Sequence, residues 1–132
     1  MPANIVDASA LAALLFGEPE GEAMAAALEG AQLMAPRLLP FEIANVCLTK
    51  IRRSPRDRGR LLEAFGLYYR LEIELVDVSH ERCVLAALSS RLTAYDAAYF
   101  TLAQDTGAEL VTLDAELAAA LSSARRTPAG KA

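Results

Sequence analysis

The chain is poor in the residues that staple or metallate small proteins. It holds two cysteines, Cys47 and Cys83, and one histidine, His80, in 132 residues. Two isolated thiols cannot build a disulfide framework, and they are too few for a zinc site. Both fall in apolar helical patterns, so buried, reduced thiols are expected. His80 follows the helix cap Ser79, and no nucleophile-and-orienter pattern accompanies it. Long apolar runs are missing as well. None reaches membrane-spanning length, and no basic segment precedes a cleavable apolar stretch, so a soluble cytoplasmic protein is expected. Positive charge is also short, with a formal net charge of −4. That argues against gripping nucleic acid by bulk charge, though not against a local basic patch. There is no internal repeat and no interdomain linker.

What is present suits one globular domain, with 54% hydrophobic and 23% charged residues. A short β-branched run, Ala3 to Val6, ends in Asp7 and is followed by a helix that stops at Gly17. A second helix from Gly21 to about Leu28 leads to a candidate strand, Gln32 to Ala35, closed by Pro36. A helix from about Pro40 to Arg53 follows, with a further helix over about Asp57 to Arg70. In the first of these, Phe41, Ala44, Leu48 and Ile51 are expected to face the core, with Glu42 and Asn45 on the other side. Leu71 to Val76 alternates apolar and acidic residues, as a strand with one wet face does. Ser79 caps a helix running to about Ser90. Thr93 caps the next, in which Tyr95, Tyr99 and Leu102 or Ala103 recur at helical spacing and predict a core face, until Gly107 stops it. A last β-like run delivers Asp114, and a helix runs from Ala115 to about Leu121. Alternating strands and helices mean βα units around a mainly parallel sheet of four or five strands. The fold class is α/β, with residues 1–122 as the domain and 123–132 as a frayed basic tail.

Four acids stand out. Asp7 and Asp114 close strands, where open α/β sheets place their ligands. Glu42 and Asp96 lie near the starts of apolar helices. Each taken alone reads as a helix cap or a solvated carboxylate. Together they would repel, each ionised pair costing roughly 3 kcal/mol at ~5 Å and an effective dielectric of ~20. A divalent cation removes that penalty, and oxygen-only ligands select a hard ion such as Mg²⁺ or Mn²⁺. Glu116 is close enough in sequence to touch a second ion or its waters.

The runs Ile5-Val6-Asp7-Ala8-Ser9, Pro40-Phe41-Glu42-Ile43-Ala44-Asn45-Val46, Leu92-Thr93-Ala94-Tyr95-Asp96-Ala97-Ala98-Tyr99 and Val111-Thr112-Leu113-Asp114 resemble the PIN-domain ribonucleases. Among these they are most similar to the VapC-like toxins of prokaryotic toxin–antitoxin pairs. The resemblance covers nearly the whole chain and implies a three-layer α/β/α domain with the first strand central. It implies that Asp7, Glu42, Asp96 and Asp114 are the catalytic, metal-holding quartet, with supporting roles for Ser9, Asn45 and Thr112. It implies an endoribonuclease that cleaves RNA with metal-activated water, forms a homodimer, and is neutralised by an antitoxin protein. The family usually adds a final strand, and Ser123 to Ala132 is a poor candidate for it.

Lys50, Arg52, Arg53, Arg56, Arg58 and Arg60 put six basic residues into eleven positions. Arg52, Arg53, Arg56 and Arg58 are candidates for RNA or partner contact, against the plainer reading of a solvated loop. Tyr95 and Tyr99 read as core rather than as base-stacking platforms. The competing functions are a catalytically silent PIN-like binding module and a Mg²⁺-dependent phosphatase or phosphotransfer domain. The latter needs a second acid two residues after the first, where this chain has Ser9. A phosphorylation receiver needs an acidic pair at the first strand's end and a late lysine, and Lys131 lies in the tail.

Overall fold

The computed structural model describes residues 2–126. Its strands are β1 (Ala3–Val6), β2 (Gln32–Pro36), β3 (Ile73–Val76) and β4 (Glu109–Val111). They form one sheet in the order β3-β2-β1-β4, with every pairing parallel. The helices are α1 (Ala8–Leu15), α2 (Gly21–Leu28), α3 (Leu39–Arg53), α4 (Arg58–Gly66), α5 (His80–Ser90), α6 (Ala94–Thr106) and α7 (Ala115–Arg126). Two 3-10 turns, Pro55–Asp57 and Leu67–Arg70, flank α4. Helices separate every pair of consecutive strands; β2 and β3 add successively to one side of β1 and β4 adds to the other, so the strand order reverses beside β1. Open α/β sheets bind ligands at such a switch point.

Register fixes what meets there. Val6 pairs with Val111, so Asp7 and Thr112 leave the two strands side by side. The Asp7 amide donates to the Val111 carbonyl at 3.2 Å, carrying the pairing one residue past β1. Ile5, Val6 and Ala35 are buried beneath this edge. α1 then turns back at Gly17 and is met by α2 through Gly21. A Cβ at Gly21 would lie 2.6 Å from the Ala13 carbonyl oxygen, so glycine is what lets the two helices approach.

α6 is the central helix. Ala97 through Ala103 are all buried, which explains why its apolar residues do not form a one-sided stripe: both faces pack, and small alanines allow it. Thr93 caps it at the Asp96 amide, 3.1 Å away, and Gly107 ends it at φ +69, both as expected. Cys47 and Cys83 are buried free thiols, also as expected.

Three expectations need correction. α3 buries Leu39, Ile43 and Cys47, not Phe41, Ala44, Leu48 and Ile51. Phe41 is 80% exposed and Leu48 41%, while Ala44 is exposed and Ile51 half-buried. Both stripes are apolar at helical spacing, so periodicity cannot choose between them. Tyr95 is 68% exposed, whereas Tyr99 is buried as expected. Tyr95 sits in the first turn of α6, ahead of the part that packs. Finally, α7 continues through Ser123 to Arg126 instead of fraying. Leu117 and Leu121 hold its inner face, and Arg125 and Arg126 at its end oppose the helix dipole. The Arg125 guanidinium donates to the carbonyls of Ala108 at 2.7 Å and Ala103 at 3.3 Å. Residues 127–132, the rest of the expected tail, lie outside the described residues, among which no fifth strand occurs.

The reassigned face of α3 can be measured. Ile43→Ala should lower unfolding free energy by about 2–4 kcal/mol in urea titrations. Leu48→Ala should stay within about 1 kcal/mol of wild type, since little packing is lost at an exposed site. The reverse order would restore the stripe expected from sequence.

Candidate active site

Asp7 is the most constrained acid, only 5% exposed at the end of β1. Its Oδ1 accepts from Ser9 Oγ at 2.7 Å and from the Ala10 amide at 3.1 Å. Its Oδ2 accepts from Thr112 Oγ1 at 2.5 Å. The two hydroxyls have no freedom to turn away. Ser9 Oγ also accepts the Leu113 amide at 2.9 Å, and Thr112 Oγ1 accepts the Asp114 amide at 2.9 Å. Each hydroxyl carries a single proton, and both protons are directed into Asp7. The 3.4 Å separation of Ser9 Oγ and Thr112 Oγ1 is therefore a contact and not a further bond. Three of the four acceptor positions of the carboxylate are taken, leaving one on Oδ2.

The remaining acids are held differently. Asp114 caps α7, its Oδ1 accepting from the amides of Glu116 at 3.0 Å and Leu117 at 3.1 Å. Asp7 likewise caps α1, so the capping role weighed from sequence is real for two of the four. Asp96 is not a cap acceptor; it lies in the first turn of α6, where its amide donates to the Thr93 hydroxyl. Glu42, in the first turn of α3, accepts from the Tyr99 hydroxyl at 2.6 Å.

Tyr99 is the site residue that sequence reasoning misses. Helical spacing assigns it to the core, and its ring is indeed buried, but its hydroxyl reaches an acid. A signal exists in the sequence: Tyr99 follows Asp96 by three residues, so both share one face of α6. Glu116 lies close enough to Asp96 to act on its charge.

The charges feel one another. Burial pushes the Glu42 carboxyl above the usual carboxylate range. The Tyr99 hydrogen bond pulls it back, and the charges of Asp96 and Asp7 add to the rise. Asp96 is raised by burial and then by Asp114, with smaller effects from Asp7 and Glu116, while Thr93 opposes the rise. The Tyr99 phenol is pushed far up, by burial first and by Glu42 second, so it stays a donor. Asp7, Glu42, Asp96 and Asp114 are thus one electrostatic group in which Asp96 is the common neighbour. All its donors are oxygen, which suits a hard divalent ion. As the side chains stand, no three acidic, imidazole or thiol groups among the described residues enclose a common point. An ion would have to draw Glu42, Asp96 or Asp114 inward around the fixed Asp7.

Asn45 is not among the groups that hold these carboxylates. It is exposed and lines a groove of about 540 Å³ with Ala8, Phe41, Glu42 and Tyr95. Arg52, Arg53, Arg56 and Arg58 are exposed; Arg52 and Arg53 end α3, about 15 Å or more from Glu42 along its axis, and Arg56 and Arg58 follow in the 3-10 turn and at the start of α4. Their neighbours Lys50 and Arg60 are engaged by Glu18 at 2.8 Å and Asp57 at 3.5 Å. Asp77 pairs with Arg37 at 2.6 Å on the β3 side, away from the switch point. No helix among the described residues is long and apolar enough to cross a membrane.

Comparison with known proteins agrees with the fold. The chain is 34% identical over 119 residues to Ribonuclease VapC3 of Pyrobaculum aerophilum, spanning 86% of this chain and 91% of that one. The crystal structure of PAE2754 from the same organism superposes with a TM-score of 0.74 at 26% identity, covering 90% of this chain and 84% of the other. The family model described as PIN domain matches residues 5–120, a span that opens two residues before Asp7 and contains the other three acids, and on this evidence the chain belongs to the PIN-domain family.

Proposed function

We propose that this chain is a divalent-metal-dependent endoribonuclease acting through Asp7, Glu42, Asp96 and Asp114. The observation that carries the reading is Asp7, buried and fixed by Ser9 and Thr112 with one acceptor position left open. A pure helix cap has no need of two further hydroxyls. The relative named Ribonuclease VapC3 supports RNA as the substrate. A bound Mg²⁺ or Mn²⁺ would supply water activation and charge stabilisation at the phosphodiester. The chain's own residues do the rest. Asp7 would be the rigid ligand, and Tyr99 holds Glu42 by its hydroxyl against the repulsion of Asp96 and Asp7. Asp96 is near enough to Asp114 and Glu116 to feel the charge of both. In-line attack and loss of the 3′ oxygen would leave 5′-phosphate and 3′-hydroxyl ends.

As a toxin, the protein would be silenced by an antitoxin segment that places a basic side chain among these acids, Arg being suited to fork two carboxylates. Homodimer formation is also part of this reading. Val84, Leu85 and Leu88 are 53%, 57% and 76% exposed on α5, an apolar patch of the kind that marks an association surface. One observation favours a second reading, a silent PIN-like binding module: two of the four acids, Asp7 and Asp114, serve as helix caps.

Asp96→Asn separates the two readings. For the nuclease, the metal-free variant should melt higher than metal-free wild type, because a raised, repelled carboxylate becomes neutral. Mg²⁺ should raise the wild-type melting temperature and the variant's much less. RNA cleavage should fall by about two orders of magnitude or more. Full activity in the variant, or a wild type whose melting ignores divalent ions, would leave the binding module. For the basic segment, reversing Arg52 and Arg53 should weaken RNA binding and flatten its salt dependence, with metal affinity unchanged. An unaltered salt slope would mark a solvated face. Copurified with its neighbouring-gene partner, the protein should lack nuclease activity and recover it when the partner is proteolysed. Undiminished activity in the intact complex would remove the antitoxin from the account.

A further inference from the structure

The groove beside the acids is not part of the carboxylate group, yet it shares a wall with it. Glu42 belongs to both, Ala8 directly follows Asp7, and Tyr95 directly precedes Asp96. A phosphate held among the acids would therefore have the groove as its immediate neighbour. Two aromatic rings line it from separate helices, Phe41 in the first turn of α3 and Tyr95 in the first turn of α6. They are 80% and 68% exposed, so both rings are accessible from solvent. Asn45 stands one helical turn after Phe41 on the same face and offers both a donor and an acceptor. Ala8 contributes only a methyl group, leaving the space open.

We infer that this groove is a nucleobase subsite, in which an unpaired base flanking the scissile phosphate stacks on Phe41 and Tyr95 and is read at its edge by the Asn45 amide. The inference rests on the nuclease reading for its substrate. Aromatic faces with little charge are what single-stranded RNA uses, because every base has a π-face and stacking tolerates sequence. A volume of about 540 Å³ lies in the range of small-ligand sites, so a whole ring can enter. A base inside a duplex cannot, since it is already stacked and paired. An aliphatic side chain of a protein partner would fill the same space but would make no use of the paired rings or of the amide.

The chain contains no tryptophan, so Tyr95→Trp places the sole indole in the groove. Its fluorescence should be quenched by a single-stranded RNA 12-mer in EDTA. An abasic sugar–phosphate chain of equal length, or the same RNA as a duplex, should quench little. Phe41→Ala or Asn45→Ala in this background should weaken RNA binding about tenfold with the melting temperature unchanged, because both sites are exposed. Equal quenching by the abasic chain would overturn the subsite, as would no quenching when anisotropy shows the RNA bound, or no RNA binding at all. Quenching only by an arginine-containing antitoxin tail peptide would assign the groove to a protein partner instead. The two readings fail separately. If wild type cleaves RNA while the indole of Tyr95→Trp stays unquenched, only the subsite is lost. Quenching beside full activity in Asp96→Asn loses only the metal-nuclease assignment.

Discussion

Everything at the switch point depends on the Asp7 carboxylate being received by two hydroxyls from two segments distant in sequence. Ser9 comes from the start of α1 and Thr112 from the exit of β4, and each also accepts an amide of the β4–α7 connection. The same bonds that orient one carboxylate therefore fix the path of the chain toward Asp114. This is a small polar cluster on an apolar base, and among the described residues no buried side-chain polar atom lacks a partner. A cluster in that state rigidifies, whereas a half-satisfied one would be costly.

The other acids are placed by a different logic. Glu42 and Asp96 stand in first turns of helices whose later turns are packed on the core, α3 through Leu39, Ile43 and Cys47 and α6 along most of its length. Packing sets the positions of these helices, and their exposed beginnings inherit that precision. Tyr99 joins the two by a single hydroxyl. The result is a set of carboxylates in which burial and neighbouring charge raise the proton affinity of Glu42 and Asp96, while Asp7 is the most tightly held of the four. Repulsion in the empty arrangement and attraction to a hard ion are two sides of the same placement.

Much of this is legible in the residues. Asp7 at the end of β1, the Asp114 and Thr93 caps, the Gly107 stop and the parallel βα pattern follow from local chemistry and alternation, whereas the central place of β1 is implied by the family resemblance. The failures share one cause, which is that tertiary partners are not written in a local pattern. Phe41 and Leu48 compete with Leu39, Ile43 and Cys47 on a helix that is apolar on two sides, and a periodicity does not say which side meets the sheet. Its spacing from Tyr99 draws Tyr95 toward the core, although a helix's first turn can precede its packed part. Small and basic residues make the end of α7 resemble a tail, whereas Leu117, Leu121 and Arg125 find tertiary partners. The Tyr99–Glu42 bond joins residues 57 apart in sequence, a separation at which no local pattern points to a partner.

Arg125 carries a consequence for the site that its distance conceals. By gripping the carbonyls of Ala103 and Ala108, it fastens the far end of α7 across the turn that joins α6 to β4. The segment bearing Thr112 and Asp114 is thereby a bridge anchored at both abutments, with the sheet at one end and the guanidinium at the other. Removing the last turn of α7 would cut the second anchorage. The slack would be felt first not at the terminus but where Thr112 meets Asp7.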